Sequence, residues 1–246
     1  MPRTSRQHSL TGYYHVILRG VNRQNIFFDD TDREKFLQVI ARFSEEENIE
    51  ILVYCLMNNH VHLLLHTNVP VDRFIKKTAS SYVYYFNRKY DRIGHLFQDR
   101  FKSEPVNTEK YLLTVARYIL QNPMKAGLAD IEAYPWNSWN ELESGYDFCK
   151  SQILFDLTGG ISAFKDFVRA DNNDVCADIE EHTKISDDEA LTIISHITGL
   201  GNPIEIKDLP RKIRNEYLVL IKNQGLTIRQ ISRITGLNKN MIQRAQ

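Results

Sequence analysis

Residues 57–66 have the sequence MNNHVHLLLH, and this stretch decides the fold. Its two asparagines suit the positive φ of a two-residue hairpin turn, so we expect strands on both sides of it, at residues 49–57 and 60–66. Because side chains alternate along a strand, His60 and His62 point to one face of the sheet while the apolar residue between them points to the other. Two adjacent imidazoles form a half-site for a metal ion. The alternative is a strand whose histidines are exposed at a sheet edge.

The sequence on either side of this hairpin alternates between strand and helix patterns. Apolar residues recur at helical spacing in three segments, and β-rich or alternating runs separate them. The order β-α-β-β-α-β-α is typical of an α+β fold with a ferredoxin-like antiparallel sheet. The predicted elements are a strand at residues 13–19, a helix at 32–48, the two hairpin strands, a helix at 70–90, a strand at 95–103 and a helix at 108–121.

The composition is that of an ordinary protein with a sizeable core, with 42% hydrophobic and 25% charged residues. No run approaches the roughly 18 apolar residues of a membrane span. Residues 1–6 lack the apolar segment of a signal peptide. The three cysteines are odd in number and not in C-x-x-C spacing, which favours reduced thiols over a disulfide frame or a zinc ribbon. We therefore expect a cytoplasmic protein with no membrane partner.

Charge is distributed in three blocks although the formal net charge is zero. Residues 1–126 contain 18 Lys and Arg against 13 Asp and Glu, residues 127–206 contain 4 against 16, and residues 207–246 contain 9 against 2. Two basic blocks around an acidic one indicate an anionic partner such as nucleic acid. We predict that an acidic and partly helical connector, at residues 146–206, precedes a basic helical segment at 207–246.

The basic C-terminal segment has the spacing of a helix-turn-helix. We expect a helix from Pro210 to Asn223, after which a capping box at residues 227–230 starts a short second helix. Ser232 precedes the turn residue Gly236 by four positions, as in that motif. The alternative is a plain helical hairpin that closes the domain. If the motif is present, four outward side chains of the last helix contact DNA, namely Lys239, Asn240, Gln243 and Arg244.

The helix predicted at residues 108–121 has a polar stripe. Tyr111, Val115, Tyr118 and Asn122 recur at helical spacing, so they share one face. A tyrosine hydroxyl and an amide oxygen one turn apart could reach a metal held by the histidine strand, although such a stripe is also typical of core packing. Pro123 disfavours helical backbone at the residue before it, so the direction of Asn122 stays open.

Four motifs resemble those of one protein family. They are YHVILRGVNR at residues 14–23, HVH at 60–62 after the hairpin, GHLFQDRF at 94–101 and RYILQNPMKAG at 117–127. In this order they resemble the single-tyrosine HUH transposases, and more closely the REP-associated tyrosine transposases. The resemblance covers roughly residues 8–145 and implies that the antiparallel sheet is an HUH nuclease core.

The resemblance also implies roles for particular residues. Tyr118 matches the nucleophile that cleaves single-stranded DNA, which yields a phosphotyrosine and a free 3′-hydroxyl for strand transfer. His60, His62 and Asn122 match the ligands of a divalent ion, Mg²⁺ or Mn²⁺, and no other cofactor is implied. The implied partner is single-stranded DNA with hairpins. Relatives act as monomers or as homodimers, and the sequence leaves this choice open.

The remaining polar residues of the motifs have weaker assignments. His66 shares the face of His60 and His62 but lies farther along the strand, so we expect it outside the metal site. His15 and His95 are expected to be structural, and Tyr111 is expected to pack or to contact substrate. Four basic residues are expected to contact DNA phosphates, the alternative being solvated charge: Arg19, Arg23, Arg100 and Lys102.

Two other functions fit parts of the sequence. A domesticated descendant could bind DNA as a regulator without cleaving it, but the intact set of His60, His62 and Tyr118 argues against this. A replication initiator or relaxase would share the H-x-H site, yet its tyrosine commonly lies elsewhere relative to the histidines. We therefore predict a metal-dependent transposase that cleaves and rejoins single-stranded DNA.

Overall fold

The histidine hairpin lies at the centre of the fold in the computed structural model, which describes residues 7–98, 101–144, 148–174, 176 and 187–245. Strands β1 (Tyr13–Arg19), β2 (Glu50–Met57), β3 (His60–His66) and β4 (Lys102–Val106) form one antiparallel sheet in the order β2-β3-β1-β4. The α+β class and the antiparallel sheet are confirmed. The histidine strand is an inner strand, so the alternative of an edge strand is wrong.

The hairpin turn differs from the prediction in its backbone. Met57 pairs with His60, so the loop has two residues as expected, but neither Asn58 nor Asn59 has a positive φ. The turn is stabilised instead by hydrogen bonds from another segment of the chain. The Asn58 carbonyl accepts hydrogen bonds from the backbone amides of Ile26 and Phe27, and the Asn59 carbonyl accepts one from Gly20. Because these bonds fix the turn, it does not need the left-handed conformation of a free two-residue hairpin.

The fourth strand lies farther along the chain than predicted. The prediction placed it at residues 95–103, whereas β4 begins at Lys102 and ends at Val106. Before it, Phe97 forms only an isolated bridge with Gly20. The reason is the end of β1, because the chain turns away after Arg19 and Asn22 has a left-handed backbone conformation. Residues 95–98 therefore meet β1 only at its end, where the Gln98 amide donates to the Arg19 carbonyl at 2.7 Å and the Val21 amide donates to the Leu96 carbonyl at 2.9 Å.

The two faces of the sheet have separate cores. On one face, α1 (Asp30–Glu46) and α2 (Val71–Lys89) cover the side chains of Val16, Val61 and Leu63. On the other face, α3 (Glu109–Lys125) covers Cys55 and Leu64. Side chains opposite each other in an antiparallel pair share a face, so the alternation in β3 assigns its histidines to the α3 side.

Helix α3 continues through Asn122 and Pro123, so the predicted stop at these residues is wrong. Proline lacks the amide hydrogen that would bond the carbonyl four residues earlier, which removes one bond of the helix. The next turn closes normally, because the Ala126 amide donates to the Asn122 carbonyl at 3.0 Å. Pro123 is buried, and its packing offsets the missing bond.

Three further helices follow the sheet, and two of them hold α3 from its outer side. They are α4 (Glu141–Ser144), α5 (Gln152–Thr158) and α6 (Ile161–Arg169). Leu154, Phe164 and Val168 belong to the same hydrophobic core as the buried side chains of α3. The Gln121 side-chain amide donates to the Val168 carbonyl at 2.7 Å, and the Arg117 guanidinium lies 2.7 Å from Asp174. These contacts fix the rotation of α3 about its axis.

The chain divides into two compact units, residues 1–179 and 180–246, so the predicted connector at 146–206 is shared between them. The second unit contains α7 (Asp187–Thr198), a 3₁₀ segment at Pro203–Asp208, α8 (Arg211–Asn223), α9 (Ile228–Thr235) and α10 (Lys239–Arg244). Ser186, the predicted first residue of a capping box, lies outside the described residues. In the part of the chain that the structure describes, no helix is long and apolar enough to cross a membrane.

Candidate active site

The histidines of β3 lie beneath α3 together with polar side chains from the neighbouring strands. Arg19 of β1 is opposite His60, and Ile17 is opposite His62. His15 of β1 is opposite Glu104 of β4. Residues paired in this way, and those two positions away, point to the same face. The α3 face of the sheet is therefore polar at its centre.

His62 is fully buried and is oriented by a second histidine. Its Nδ1 lies 2.9 Å from Nε2 of His15, which is also buried. Its other ring nitrogen, Nε2, is buried and has no hydrogen-bond partner among the described residues. Burial, followed by the nearby His60 and His15, holds the pKa of His62 well below its usual value. A neutral imidazole with one unengaged nitrogen is what a metal ligand requires.

His60 is oriented by the hairpin turn. Its Nδ1 lies 2.6 Å from Oδ1 of Asn59, whose amide nitrogen donates to the Arg23 carbonyl at 3.2 Å. The second bond identifies which end of the amide faces His60. An amide oxygen can only accept, so the His60 proton is on Nδ1 and the lone pair is on Nε2. The rings of His60 and His62 are 5.0 Å apart between centroids.

Tyr118 of α3 packs against this histidine pair. Its ring centroid lies 5.8 Å from that of His62 and 6.1 Å from that of His15, in both cases edge to face. The side chain is largely covered, with 8% exposed. Nζ of Lys125, two turns along α3, lies 5.1 Å from the ring centroid. A tyrosine, two histidines and a cation thus lie side by side within a single chain.

Asn122 is less closely tied to the histidines. Its amide nitrogen donates to the Tyr118 carbonyl at 3.1 Å, one turn back in the same helix. Such a bond uses the nitrogen and keeps the amide oxygen available as a ligand. Among the described residues, no group of three or more His, Cys, Asp or Glu side chains could hold a metal ion. A metal between His60 and His62 would therefore need an amide oxygen or water to complete its ligands.

The sheet and its histidines lie within a segment that matches a known protein family. A family model described as "Transposase IS200 like" matches residues 8–122, a segment that contains the whole sheet and ends at Asn122. This segment, just under half of the chain, is similar to IS200-like transposases. No curated protein matches the chain at a significant level.

The fold also occurs among solved structures. The structure of a REP-associated tyrosine transposase bound to a REP hairpin is similar, with a TM-score of 0.55 and 12% identity, over 74% of this chain and 98% of that chain. At this identity the likeness concerns the fold. A crystal structure from Deinococcus radiodurans also matches, at 15% identity over 52% of this chain and 98% of that one, but its TM-score of 0.35 supports no argument.

Two of the four basic residues predicted to contact DNA lie on the α3 side of the sheet, which we call the histidine face. Arg19 is opposite His60, and Lys102 is opposite Ile17, so both belong to the α3 side of the sheet. Arg23 is exposed and its carbonyl accepts from Asn59, the residue that orients His60. Arg100 lies outside the described residues.

His66 lies at the far end of β3 from the turn. Its Nδ1 is 3.1 Å from a Glu50 carboxylate oxygen, and its ring packs on that of Tyr13 at 4.6 Å. These partners differ from those of His60 and His62. That His66 is outside the metal site stays a prediction.

The sequence interpretation missed His15 and Glu104. His15 was assigned a structural role, yet it contacts both His62 and Tyr118. The available signal was the alternation of β1, which places Tyr13, His15 and Ile17 on one face. Glu104 could not be found in the same way, because the predicted strand ended at residue 103, one position before it.

The C-terminal unit contains a second basic feature, which we call the arginine groove. It is a cavity of about 550 Å³ between α8 and α10. The four predicted DNA contacts of α10 are all exposed, and two of them, Asn240 and Arg244, line this groove. The sequence interpretation missed the contribution of α8. The lining residues are Arg211, Arg214, Asn215, Asn238, Asn240, Met241 and Arg244.

Proposed function

We propose that the chain cleaves and rejoins single-stranded DNA, with Tyr118 as the nucleophile. The observation that supports this best is the contact of the Tyr118 ring with His62, and through it with His60, inside the segment that is similar to IS200-like transposases. A tyrosine buried for structural reasons alone would not require beside it a buried histidine whose Nε2 has no hydrogen-bond partner among the described residues.

We further propose that His60, His62 and the amide oxygen of Asn122 hold a divalent ion, Mg²⁺ or Mn²⁺. The unengaged Nε2 of His62 and the lone pair of His60 fit such an ion. When bound, the ion would withdraw charge from the scissile phosphate and leave positions for its oxygen and for water.

The protein supplies the nucleophile and its positioning. The Tyr118 oxygen attacks phosphorus, the new tyrosine–phosphate bond forms, and the bond from phosphorus to the 3′-oxygen breaks. The 3′-oxygen leaves as a hydroxyl with the proton that the tyrosine loses. A tyrosine hydroxyl ordinarily has a pKa of about 10, so it is a weak nucleophile at neutral pH until its proton leaves. A second 3′-hydroxyl can then attack the phosphotyrosine and rejoin the strand.

The DNA is held in two places in this proposal. Arg19, Arg23 and Lys102 contact phosphates at the histidine face, and Arg100 belongs to the same set by sequence. In the C-terminal unit, a helix-turn-helix formed by α9 and α10 contacts DNA through Lys239, Asn240, Gln243 and Arg244. Arg211 and Arg214 of the arginine groove add to this surface, because arginine pairs readily with phosphate.

A hairpin is the form of DNA that we propose as substrate. The solved transposase of similar fold was captured with a REP hairpin. The nucleophile and the histidines here belong to one chain, so a monomer contains the complete set of catalytic groups. A homodimer would contain two such sets.

The test is to trap the covalent intermediate. The full chain is incubated with Mn²⁺ and a labelled single strand carrying a hairpin, and products are separated under denaturing conditions. We expect a protein–DNA adduct with the natural chain and none with Tyr118→Phe, whereas Tyr111→Phe on the same helix is the matched control and keeps the adduct. DNA binding by Tyr118→Phe should stay nearly unchanged.

Two results would contradict the proposal. An adduct with Tyr118→Phe would show that another residue is the nucleophile. Binding of the hairpin by the natural chain without any adduct, with and without Mn²⁺, would favour the non-catalytic DNA-binding regulator.

A further inference from the structure

We propose that Glu104 and His15 are positioning residues that fix His62 in the tautomer whose Nε2 can bind a metal. This rests on the proposed function in one respect, because it assigns the metal to the Nε2 side of His62. The tautomer itself is a property of the protein without metal.

The three side chains come from three adjacent strands. His15 in β1 is directly opposite Glu104 in β4, and His62 in β3 is diagonal to His15 on its other side. His15 Nε2 is 2.9 Å from His62 Nδ1, and His15 Nδ1 is 3.8 Å from a Glu104 carboxylate oxygen, an ion-pair distance. The side chain of His15 is completely buried, while that of Glu104 is 28% exposed. A carboxylate therefore faces one nitrogen of His15 and His62 faces the other.

The hydrogen bond between the two imidazoles can be made in two ways. In the first, His15 donates from Nε2, so its lone pair on Nδ1 faces the Glu104 carboxylate. The lone pair and the carboxylate are both negative and repel each other. In the second, His62 donates from Nδ1, and the proton of His15 is on Nδ1, facing the carboxylate. The carboxylate favours the second arrangement by simple electrostatics.

The far side of His62 favours the same arrangement. In the first arrangement the His62 proton would be on Nε2, a buried atom with no hydrogen-bond partner among the described residues. A buried donor with no acceptor costs more than one that faces a carboxylate at 3.8 Å, which is the position of the His15 Nδ1 proton in the second arrangement. A charged His15 would donate from both nitrogens and leave His62 in this same unfavourable form, and the complete burial of His15 opposes that charge.

The second arrangement gives His62 the form of a histidine ligand. Such ligands usually donate their other N–H to a carboxylate, a carbonyl or water, which fixes the ring and its tautomer. Here the acceptor is Nε2 of His15. This nitrogen can accept because the Glu104 carboxylate favours the His15 proton on Nδ1. The Asn59 oxygen does the same for His60, so both ligands have lone pairs on Nε2 before any metal arrives.

The first experiment measures the tautomer directly in the full chain without metal. Long-range ¹H–¹⁵N spectra of the histidine rings distinguish a proton on Nδ1 from one on Nε2, and a His62→Asn variant assigns the signal. We expect His62 to be protonated on Nδ1, and we expect Glu104→Gln to raise the fraction protonated on Nε2. A natural chain with the His62 proton mainly on Nε2 would overturn the proposal, whatever the nuclease assay shows.

The second experiment measures Mn²⁺ affinity by electron paramagnetic resonance. Outer partners of histidine ligands typically contribute about 10- to 100-fold to metal affinity, so we expect a loss of that size for His15→Phe and a smaller loss for Glu104→Gln. His15→Gln, which restores an acceptor oxygen, should recover part of the affinity. Glu50→Gln is the matched control, since Glu50 pairs with His66 and should leave Mn²⁺ binding unchanged.

The outcomes separate the two proposals. Unchanged Mn²⁺ affinity in His15→Phe and Glu104→Gln would overturn the positioning role. If the natural chain binds no Mn²⁺ yet His62 is protonated on Nδ1, the metal-dependent function fails while the tautomer assignment stands. Glu104→Gln preserves size at a partly exposed position, so it remains interpretable if the variants of buried His15 fail to fold.

Discussion

The histidine face of the sheet and the arginine groove are both proposed to act on DNA, yet they are built in opposite ways. His62 and His15 are buried and joined by a 2.9 Å hydrogen bond, and Tyr118 packs on both rings. Arg211 and Arg244 are exposed on the surfaces of two helices. Groups that do chemistry must be oriented before the substrate arrives, whereas groups that hold a phosphate backbone need only reach it from water.

This difference predicts different responses to substitution. At the histidine face each group is held by the next, so the loss of one member should also displace its neighbours, weaken function strongly and cost stability. In the arginine groove each charge acts on the DNA almost independently, so the losses should be partial and additive.

The largest effect should come from His62→Ala, with His66→Ala as the matched control on the same strand. We expect His62→Ala to lower Mn²⁺ affinity by more than about 100-fold, since a ligand should matter more than its outer partners, and to abolish the covalent adduct. It also leaves His15 without its partner in a buried site, which should lower the free energy of unfolding by about 1–3 kcal/mol. Metal titration and urea unfolding measure the two effects.

The His66→Ala control tests whether the metal site is confined to one end of β3. His66 bonds Glu50 at the other end of β3, so His66→Ala should keep both Mn²⁺ binding and the adduct. If His66→Ala loses Mn²⁺ affinity as strongly as His62→Ala, the metal site extends along the strand and the sequence expectation for His66 is wrong.

The sequence predicted the histidine face well because its signal is local. The alternation of β3 follows from the covalent geometry of a strand, and the stripe of Tyr118 and Asn122 follows from that of a helix. Both need only neighbouring residues. What the sequence could not give is the partner of each group across the sheet, because pairing depends on the register between strands that are distant in the chain.

The errors have the same origin. The prediction of a strand at 95–103 failed because the end of β1 is set by the turn after Arg19, which the alternation of residues 95–103 does not reveal. The predicted stop before Pro123 failed because burial of the proline ring outweighed one lost hydrogen bond. Arg211 was missed as a DNA contact because it and Arg244 meet only after α8 and α10 have packed, and they are 33 positions apart in sequence.

A medium effect is expected for the arginine groove. Arg211→Ala, Arg214→Ala and Arg244→Ala should each weaken binding of the full chain to hairpin DNA and lower the salt dependence of log Kd by about one phosphate contact. Lys212→Ala is the matched control, because it removes the same charge from α8 at a position that does not line the groove. Fluorescence anisotropy over a range of salt concentrations measures both quantities.

The Lys212→Ala control distinguishes a specific role of the groove from the general charge of the unit. If Lys212→Ala weakens binding as much as Arg211→Ala, the contribution is the general charge of the unit and the groove has no special role. The adduct formed at saturating protein should be unchanged in all four variants, because none of them touches Tyr118.

The smallest expected effect is that of removing one helix cap from each of the two units. The Thr108 hydroxyl accepts from the Tyr111 amide at the start of α3, and the Thr227 hydroxyl accepts from the Gln230 amide at the start of α9, both at 3.2 Å. Replacing either threonine with alanine should cost about 1 kcal/mol. The same loss should lower Tm by about 2–4 °C in the larger unit and about 4–8 °C in the smaller one, because the entropy of unfolding grows with size.

Calorimetry of the full chain measures this difference, provided that the two units unfold separately. We expect Thr227→Ala to move only the transition of residues 180–246 and Thr108→Ala only that of residues 1–179. Mn²⁺ affinity at 25 °C should be unchanged in both variants, since neither threonine touches the histidines. Equal shifts of a single transition would mean that the units unfold together, and the contrast between the buried histidine face and the exposed arginine groove would then not extend to the stability of the two units.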